Sequence, residues 1–326
     1  MKPLVLLAAG LTALLGLTAC GGGSDDGAQS SGSITIRIPD PGNTGPLAVG
    51  KKDGTLAAAL AEVNAKVEWA GEFGPFAPAA QAINAGSLDI ATGSITSGIG
   101  ALAVKPTFKI FAVQPPAAGE GILVKADSAI TSVADLAGRS VAVNQGGTGE
   151  YLLLKALQKN NVPVDKVKRV YLPPTDSPAA FNSGQVDAWA TWNSYSAPAI
   201  ANAGGKLLVD GAAIDSDNYT IYVVADAFHS AHPEVVKVLT NYLHDGSVKQ
   251  QADPAPFVNV NTEAGPQAVT GKLKDVTLGF LKGTEPVRPV TADDVARFAE
   301  VSRFFTDQKV IKQPVDVGAH TLVGLS

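Results

Sequence analysis

Residues 143–157 read VNQGGTGEYLLLKAL. A strand-like apolar run stops at two glycines. A threonine and a third glycine follow, and apolar residues then recur at helical spacing. This is a strand-to-helix turn, the repeating unit of an α/β fold. A helix N-terminus presents unpaired N–H groups and partial positive charge, so a small anion is one guest it can hold. The plainer reading is a turn with Thr148 as its N-cap. Nucleotide readings fail. No Lys-Ser or Lys-Thr pair follows the last glycine, which excludes a P-loop, and GGTGEY lacks the GxGxxG spacing.

The pattern repeats on both sides of this turn. ITIRI (34–38), VEWA (67–70), LDIAT (88–92) and FKIFAV (108–113) read as strands. Ala- and Leu-rich helical stretches lie between them, one interrupted near Gly54 and one closed by Gly86. A second series starts at GILVK (121–125) and runs through SVAVN, VKRVYL, VDAWAT and KLLVD, with GEYLLLKALQKNN as its clearest amphipathic helix. A further helix is expected after Pro198. YTIYVVADAF then returns to strand. The tail is mostly helical: PEVVKVLTNYLHDGS, PQAVTGKLK and TADDVARFAEVSRFFTDQ. Repeated β-α-β order implies parallel-type sheets with helices on their faces. Two such units of about 100 residues, joined near 114–119 and 210–219, fit two lobes linked by two crossovers. They fit one large doubly wound domain equally well.

The N-terminus is of another kind. Lys2 precedes an apolar run over 4–17, too short for a membrane span of about 20 residues. Thr18 and Ala19 then precede Cys20, the only cysteine. Residues 1–19 read as a signal peptide. LTAC resembles the bacterial lipobox, which implies that Cys20 is lipidated; an ordinary secretory signal with an incidental cysteine is the alternative. Residues 20–33 form the cysteine and a polar, flexible tether. No cysteine is left for a disulfide in the fold. With 25 Lys and Arg against 30 Asp and Glu, the net charge is −5. A mildly acidic chain without basic clusters is a poor match for nucleic acid. The four histidines, at 229, 232, 244 and 320, show no metal-ligand spacing. Neither GxSxG nor HExxH occurs, so the motifs of common hydrolases are missing and no cofactor is expected.

Three stretches carry a resemblance over nearly all of residues 34–318. INAGSLDIATGSIT (83–96), NQGGTGEYLLLKAL with VYLPPTDSPAAFNSGQVDAWATWNSYSAPA (144–157 and 170–199), and RPVTADDVARFAEVSRFFTDQKVIKQPVDV (288–317) resemble the periplasmic solute-binding proteins for aliphatic sulfonates, taurine and nitrate. AAFNSGQVDAWATW is the most specific part. The resemblance implies a two-lobed type II periplasmic binding-protein fold with a two-strand hinge: lobe 1 over 34–117 and 216–326, lobe 2 over 118–215. It implies a monomer that binds a small anion, feeds an ABC permease and ATPase, and meets the membrane through its lipid anchor alone. It implies no catalysis. Nitrate, bicarbonate or a heterocyclic vitamin precursor are alternative ligands, and ligand sensing without transport is an alternative role.

In such sheets ligands sit beyond the C-terminal strand ends. That places Gly42, Asn43 and Thr44; Phe73 and Gly74; Gly93, Ser94 and Thr96; and Gly147, Thr148 and Gly149 at the expected cleft. Each helix start is by itself only a cap; several converging make an anion cradle without Lys or Arg. Of three tryptophans, Trp189 is expected in the core. Trp192, with Asn193, is expected at the ligand, its indole against an apolar chain. The chain departs from the family at Thr92-Gly93-Ser94, where many sulfonate binders have an acid third, and at Trp192-Asn193-Ser194-Tyr195, where they have Trp-Asp-Pro-Tyr. Both departures remove a carboxylate. Less acid implies weaker recognition of an amine, hence of taurine, and less repulsion of an anion. Lys282 and Arg288 are expected either to add positive field at the rim or to be solvated surface.

Overall fold

The computed structural model describes residues 32–104 and 106–325. The expected signal peptide, Cys20 and most of the expected tether lie outside the described residues. The first half of the fold begins with β1 (Ile34–Pro39), α1 (Pro46–Asp53), α2 (Thr55–Ala61), β2 (Ala65–Ala70), α3 (Phe76–Asn84), β3 (Ile90–Ser94), α4 (Ile95–Leu102) and β4 (Phe108–Gln114). Next come β5 (Gly121–Lys125), β6 (Ser140–Val143), α5 (Thr148–Lys159), β7 (Lys168–Tyr171), α6 (Ser177–Asn182), β8 (Ala188–Thr191), α7 (Asn193–Asn202) and β9 (Gly205–Asp210). The chain returns through β10 (Thr220–Ala225), α8 (Asp226–Ala231), α9 (Pro233–Ala252), α10 (Gly271–Lys282), β11 (Arg288–Pro289) and α11 (Ala292–Asp307).

Local chemistry sets several of these ends. Gly54, at φ 78°, closes α1 and opens α2, at the interruption expected there. Gly86, at φ 71°, ends the turn after α3. Thr291 and Asp294 form a reciprocal capping box at the start of α11. Two helices differ from expectation. The helix of the WNSYSAP stretch starts at Asn193, not after Pro198, and holds that proline inside. In PQAVTGKLK only the part from Gly271 is helical.

The strands form three sheets, ordered β1-β2, β11-β4-β10-β3 and β7-β6-β8-β5-β9. The first two draw on residues 34–114 and 220–289, the third on 121–210. The crossovers at 115–120 and 211–219 thus separate two sheet groups, as the two-lobed type II fold requires. Neighbours are not all parallel. β6 runs parallel to β7 and β8, whereas β5 is antiparallel to β8 and β9. β10 is antiparallel to β3 and β4. β5 and β10 adjoin the crossovers, where the chain enters or leaves a sheet from the opposite end; the short β11 also runs antiparallel to β4. Arg37 ties the two-stranded sheet to its neighbour, donating through its backbone N–H and guanidinium to the Asp89 carboxylate, the shortest bond 2.6 Å.

The C-terminal helices reach both groups. α11 lies against α4, and its Phe304 and Phe305 set their rings edge-on to Tyr151 of α5, centroids 5.6 and 5.9 Å apart. α10 packs on α7 and α9. No described helix is long and apolar enough to cross a membrane.

Candidate functional site

Two helix starts meet at the C-terminal ends of β3 and β6. Ser94 caps α4, its Oγ accepting from the Ser97 N–H at 3.3 Å. Thr148 opens α5, 4% exposed, and its hydroxyl donates to Ser94 Oγ at 3.0 Å. Thr96 donates to Asn218 Oδ1 at 2.8 Å, and the Asn218 amide donates to Thr148 Oγ1 at 3.3 Å. Residues from both sheet groups and from the second crossover thus form one hydroxyl–amide network. A cavity of about 320 Å³ opens beside it, lined in part by Gly74, Gly93, Ser94, Thr148, Trp192 and Asn193. These six are the expected cleft residues that the fold brings together.

The others serve nearby or elsewhere. Thr96 is fully buried behind the cavity wall. Phe73 is half-buried against the core; its neighbour Phe76 lines the cavity instead. A Cβ on Gly93 would lie 2.4 Å from the Phe76 ring, which explains the glycine by close packing. Gly147 and Gly149 are explained in the same way. A Cβ on Gly147 would lie 2.0 Å from Asn144 Nδ2, and one on Gly149 would lie 2.4 Å from the Ala190 carbonyl oxygen. Asn144 occupies the turn: its Oδ1 accepts the Gly149 N–H at 2.8 Å. The glycine turn therefore admits a side-chain cap from its own strand end, while Thr148 faces the cavity.

Gly42, Asn43 and Thr44 lie away from the cavity lining. Asn43 clamps a distant loop, donating to the Thr262 and Gln267 carbonyls at 3.0 and 3.1 Å and accepting the Asn261 and Thr262 N–H groups at 2.7 and 3.1 Å. The Asn261 amide donates to the Gly42 carbonyl, and Thr44 bridges Val258. The loop after the first strand is thus held by the C-terminal region. Trp189 is core, 3% exposed, against Phe181 and Tyr195. Trp192 stands edge-on to Tyr195 at 4.9 Å between centroids and borders the cavity. Arg288 is committed to Asp294 through two bonds of 2.6 and 2.8 Å, and Lys282 is exposed outside the lining.

The residue that reading along the chain misses is Glu120. It lines the cavity, 2% exposed, at the end of the first crossover. Its Oε1 accepts from Ser216 Oγ at 2.6 Å and its Oε2 from Asn218 Nδ2 at 2.8 Å, both on the second crossover. Burial pushes its carboxyl up to about 7, against the pull of those two bonds and with a further push from Asp210. The two lost carboxylates at Ser94 and Asn193 therefore do not leave the cavity free of acid. Gln114, Gln250 and Gln251 complete a neutral polar wall that had no local signal either. Among the described residues, Glu120 is the one ionisable side chain in the lining.

Mixed sheets in two groups, two crossovers and a polar cavity between helix starts define a two-lobed binding protein of type II. The NMT1/THI5-like family matches residues 77–256, more than half of the chain, and the chain belongs to that family. It is 27% identical over 283 residues to the putative aliphatic sulfonates-binding protein of Escherichia coli strain K12, covering 83% of this chain and 86% of the relative. Among solved structures it resembles the alkanesulfonate-binding protein SsuA from Xanthomonas axonopodis pv. citri bound to MOPS, with a TM-score of 0.77 and 23% identity over 89% of this chain and 98% of the other. The desulfurization enzyme DSZB shares the fold at a TM-score of 0.65 and 17% identity, over 90% and 97% of the two chains.

Proposed function

We propose that this protein is the solute-binding component of an ABC importer and captures a small organic sulfonate or related oxyanion. The observation that carries the reading is the Ser94–Thr148 junction. It sets hydroxyls and two helix N-termini in the wall of a cavity that Trp192 also lines. A sulfonate is fully ionised at neutral pH and accepts through three oxygens. Hydrogen bonds to such charged oxygens are worth about 1.5–3 kcal/mol each. Trp192 offers an apolar face to the organic part. The aliphatic sulfonate-binding name of the E. coli relative supports the same class.

On this reading lobe 1 comprises residues 34–117 and most of 216–326, and lobe 2 residues 118–215. α10 and α11 lie across the join. Ligand shifts an open–closed equilibrium about the crossovers. Cys20 carries the lipid that holds the protein at the outer face of the bacterial cell membrane, where a monomer delivers its ligand to the permease and ATPase. Capture, not turnover, suits a wall of hydroxyls, amides and one hydrogen-bonded carboxyl. Calorimetry with alkanesulfonates of increasing chain length, nitrate and taurine tests the ligand class. Micromolar or tighter binding of a sulfonate is the expected result; binding of a neutral or cationic solute alone would overturn it.

A further inference from the structure

Glu120 poses a problem for an anion site, and its surroundings suggest how it is solved. The carboxyl is buried in the cavity wall with no basic partner among the described residues. It is joined to the proposed anion-binding hydroxyls by Asn218, whose amide nitrogen donates both to Glu120 Oε2 at 2.8 Å and to Thr148 Oγ1 at 3.3 Å. An anion at Thr148 and an ionised Glu120 would thus be two like charges on either side of one amide, in a poorly screened place.

We propose, resting on the oxyanion reading above, that Glu120 is the residue that selects among charged ligands, because a monoanion is held only while its carboxyl carries a proton. The local bonding admits either protonation state. An ionised carboxylate accepts from Ser216 Oγ and Asn218 Nδ2. A protonated one donates to Ser216 Oγ instead, since a hydroxyl that now donates can turn and accept. The bond to Asn218 is unaffected by that reversal. No backbone movement is required.

Charges on the surrounding elements favour proton uptake or are already committed. Asp210, at the end of β9, repels the carboxylate. Asp217 is paired with Arg297 of α11 at 3.1 Å. The Tyr151 hydroxyl of α5 accepts the Asp217 N–H at 3.1 Å, and burial pushes its own ionisation far above neutrality. The lining contributed by α9 is Ser247, Gln250 and Gln251, all neutral. Burial already holds the Glu120 carboxyl near pH 7, so a bound anion needs only to raise it further.

The test is calorimetry of the full mature protein with methanesulfonate, which stays ionised throughout, between about pH 5.5 and 8.5. Wild-type affinity is expected to fall about tenfold per pH unit above roughly pH 7. Glu120→Gln, whose amide reproduces the protonated carboxyl, is expected to bind with a flat profile at the low-pH affinity. Wild type alone supplies a second measurement that needs no variant to fold. Binding heats near pH 7 in buffers of different ionisation enthalpy should show uptake of on the order of half a proton. Tight sulfonate binding that is pH-independent, or that strengthens as pH rises, overturns the proposal and leaves the sulfonate reading intact. Failure of every sulfonate to bind at every pH removes both.

Discussion

The Thr148 hydroxyl donates to Ser94 Oγ at 3.0 Å, so one hydrogen bond joins the starts of α5 and α4, which belong to different sheet groups. This junction forms part of the wall of the cavity that Trp192 also lines. An oxyanion placed there meets hydroxyls from both groups, which turn their O–H bonds from one another to the ligand, and its binding is coupled to their approach.

Thr148→Ala removes one of these donors and the link between the groups but leaves the backbone of α5 unchanged. The expected loss is about 1–2 kcal/mol, a 5- to 30-fold weakening for every sulfonate whatever its chain length. Thr148→Ser should restore most of it. Calorimetry on the three proteins decides the matter, and unchanged affinity in the alanine variant would reduce the turn to a helix start.

Trp192→Ala should act on a different part of the ligand. Wild type is expected to gain up to about 0.8 kcal/mol for each methylene that the indole covers. The variant should bind methanesulfonate nearly as well and lose that increment for longer chains. Equal losses across the series would show that the ring shapes the anion end instead.

Asn43→Ala separates structure from binding at a position where the chain alone suggests a ligand contact. Asn43 makes four backbone bonds of 2.7–3.1 Å to residues 261, 262 and 267. Their partial exposure limits the cost to about 1–3 kcal/mol. Urea unfolding should register that loss, while the sulfonate dissociation constant stays within about twofold.

Most of the fold was legible because its signals are local. Alternation marked ITIRI and FKIFAV, and Gly54 and Gly86 punctuated helices through a left-handed backbone that other residues resist. That Ser94 and Thr148 lie at helix starts beyond strand ends was legible for the same reason. Strand direction was not, since whether β5 or β10 runs with its neighbours depends on where the chain re-enters a sheet. Asn43 looked like a cleft residue because it follows a strand, yet its partners lie 216–224 residues away. Glu120 was hidden by the same distance. It follows AAG in a crossover, and its partners Ser216 and Asn218 come 96 and 98 residues later. No periodicity announces a buried acid whose burial is made by chain so remote.

Stability should report on Glu120 without any ligand. Its folded-state carboxyl lies near 7 against an ordinary value of 4.5, chiefly through burial. A raised carboxyl binds its proton more tightly in the folded state than in the unfolded chain. Between these two values the folded protein therefore holds more protons than the unfolded, and stability falls as pH rises. Below about pH 4.5 both states are protonated and Glu120 costs nothing by this route. Above pH 7 the full cost is present, on the order of 3 kcal/mol for a shift of this size. Glu120→Gln cannot ionise and escapes that cost. Relative to wild type it should thus gain stability steadily between about pH 4.5 and 7 and keep the gain at pH 8. Urea unfolding of both proteins at several pH values measures the difference directly. A difference that does not change with pH would mean that Glu120 is ionised in the folded protein over the whole range, held so by Ser216 and Asn218.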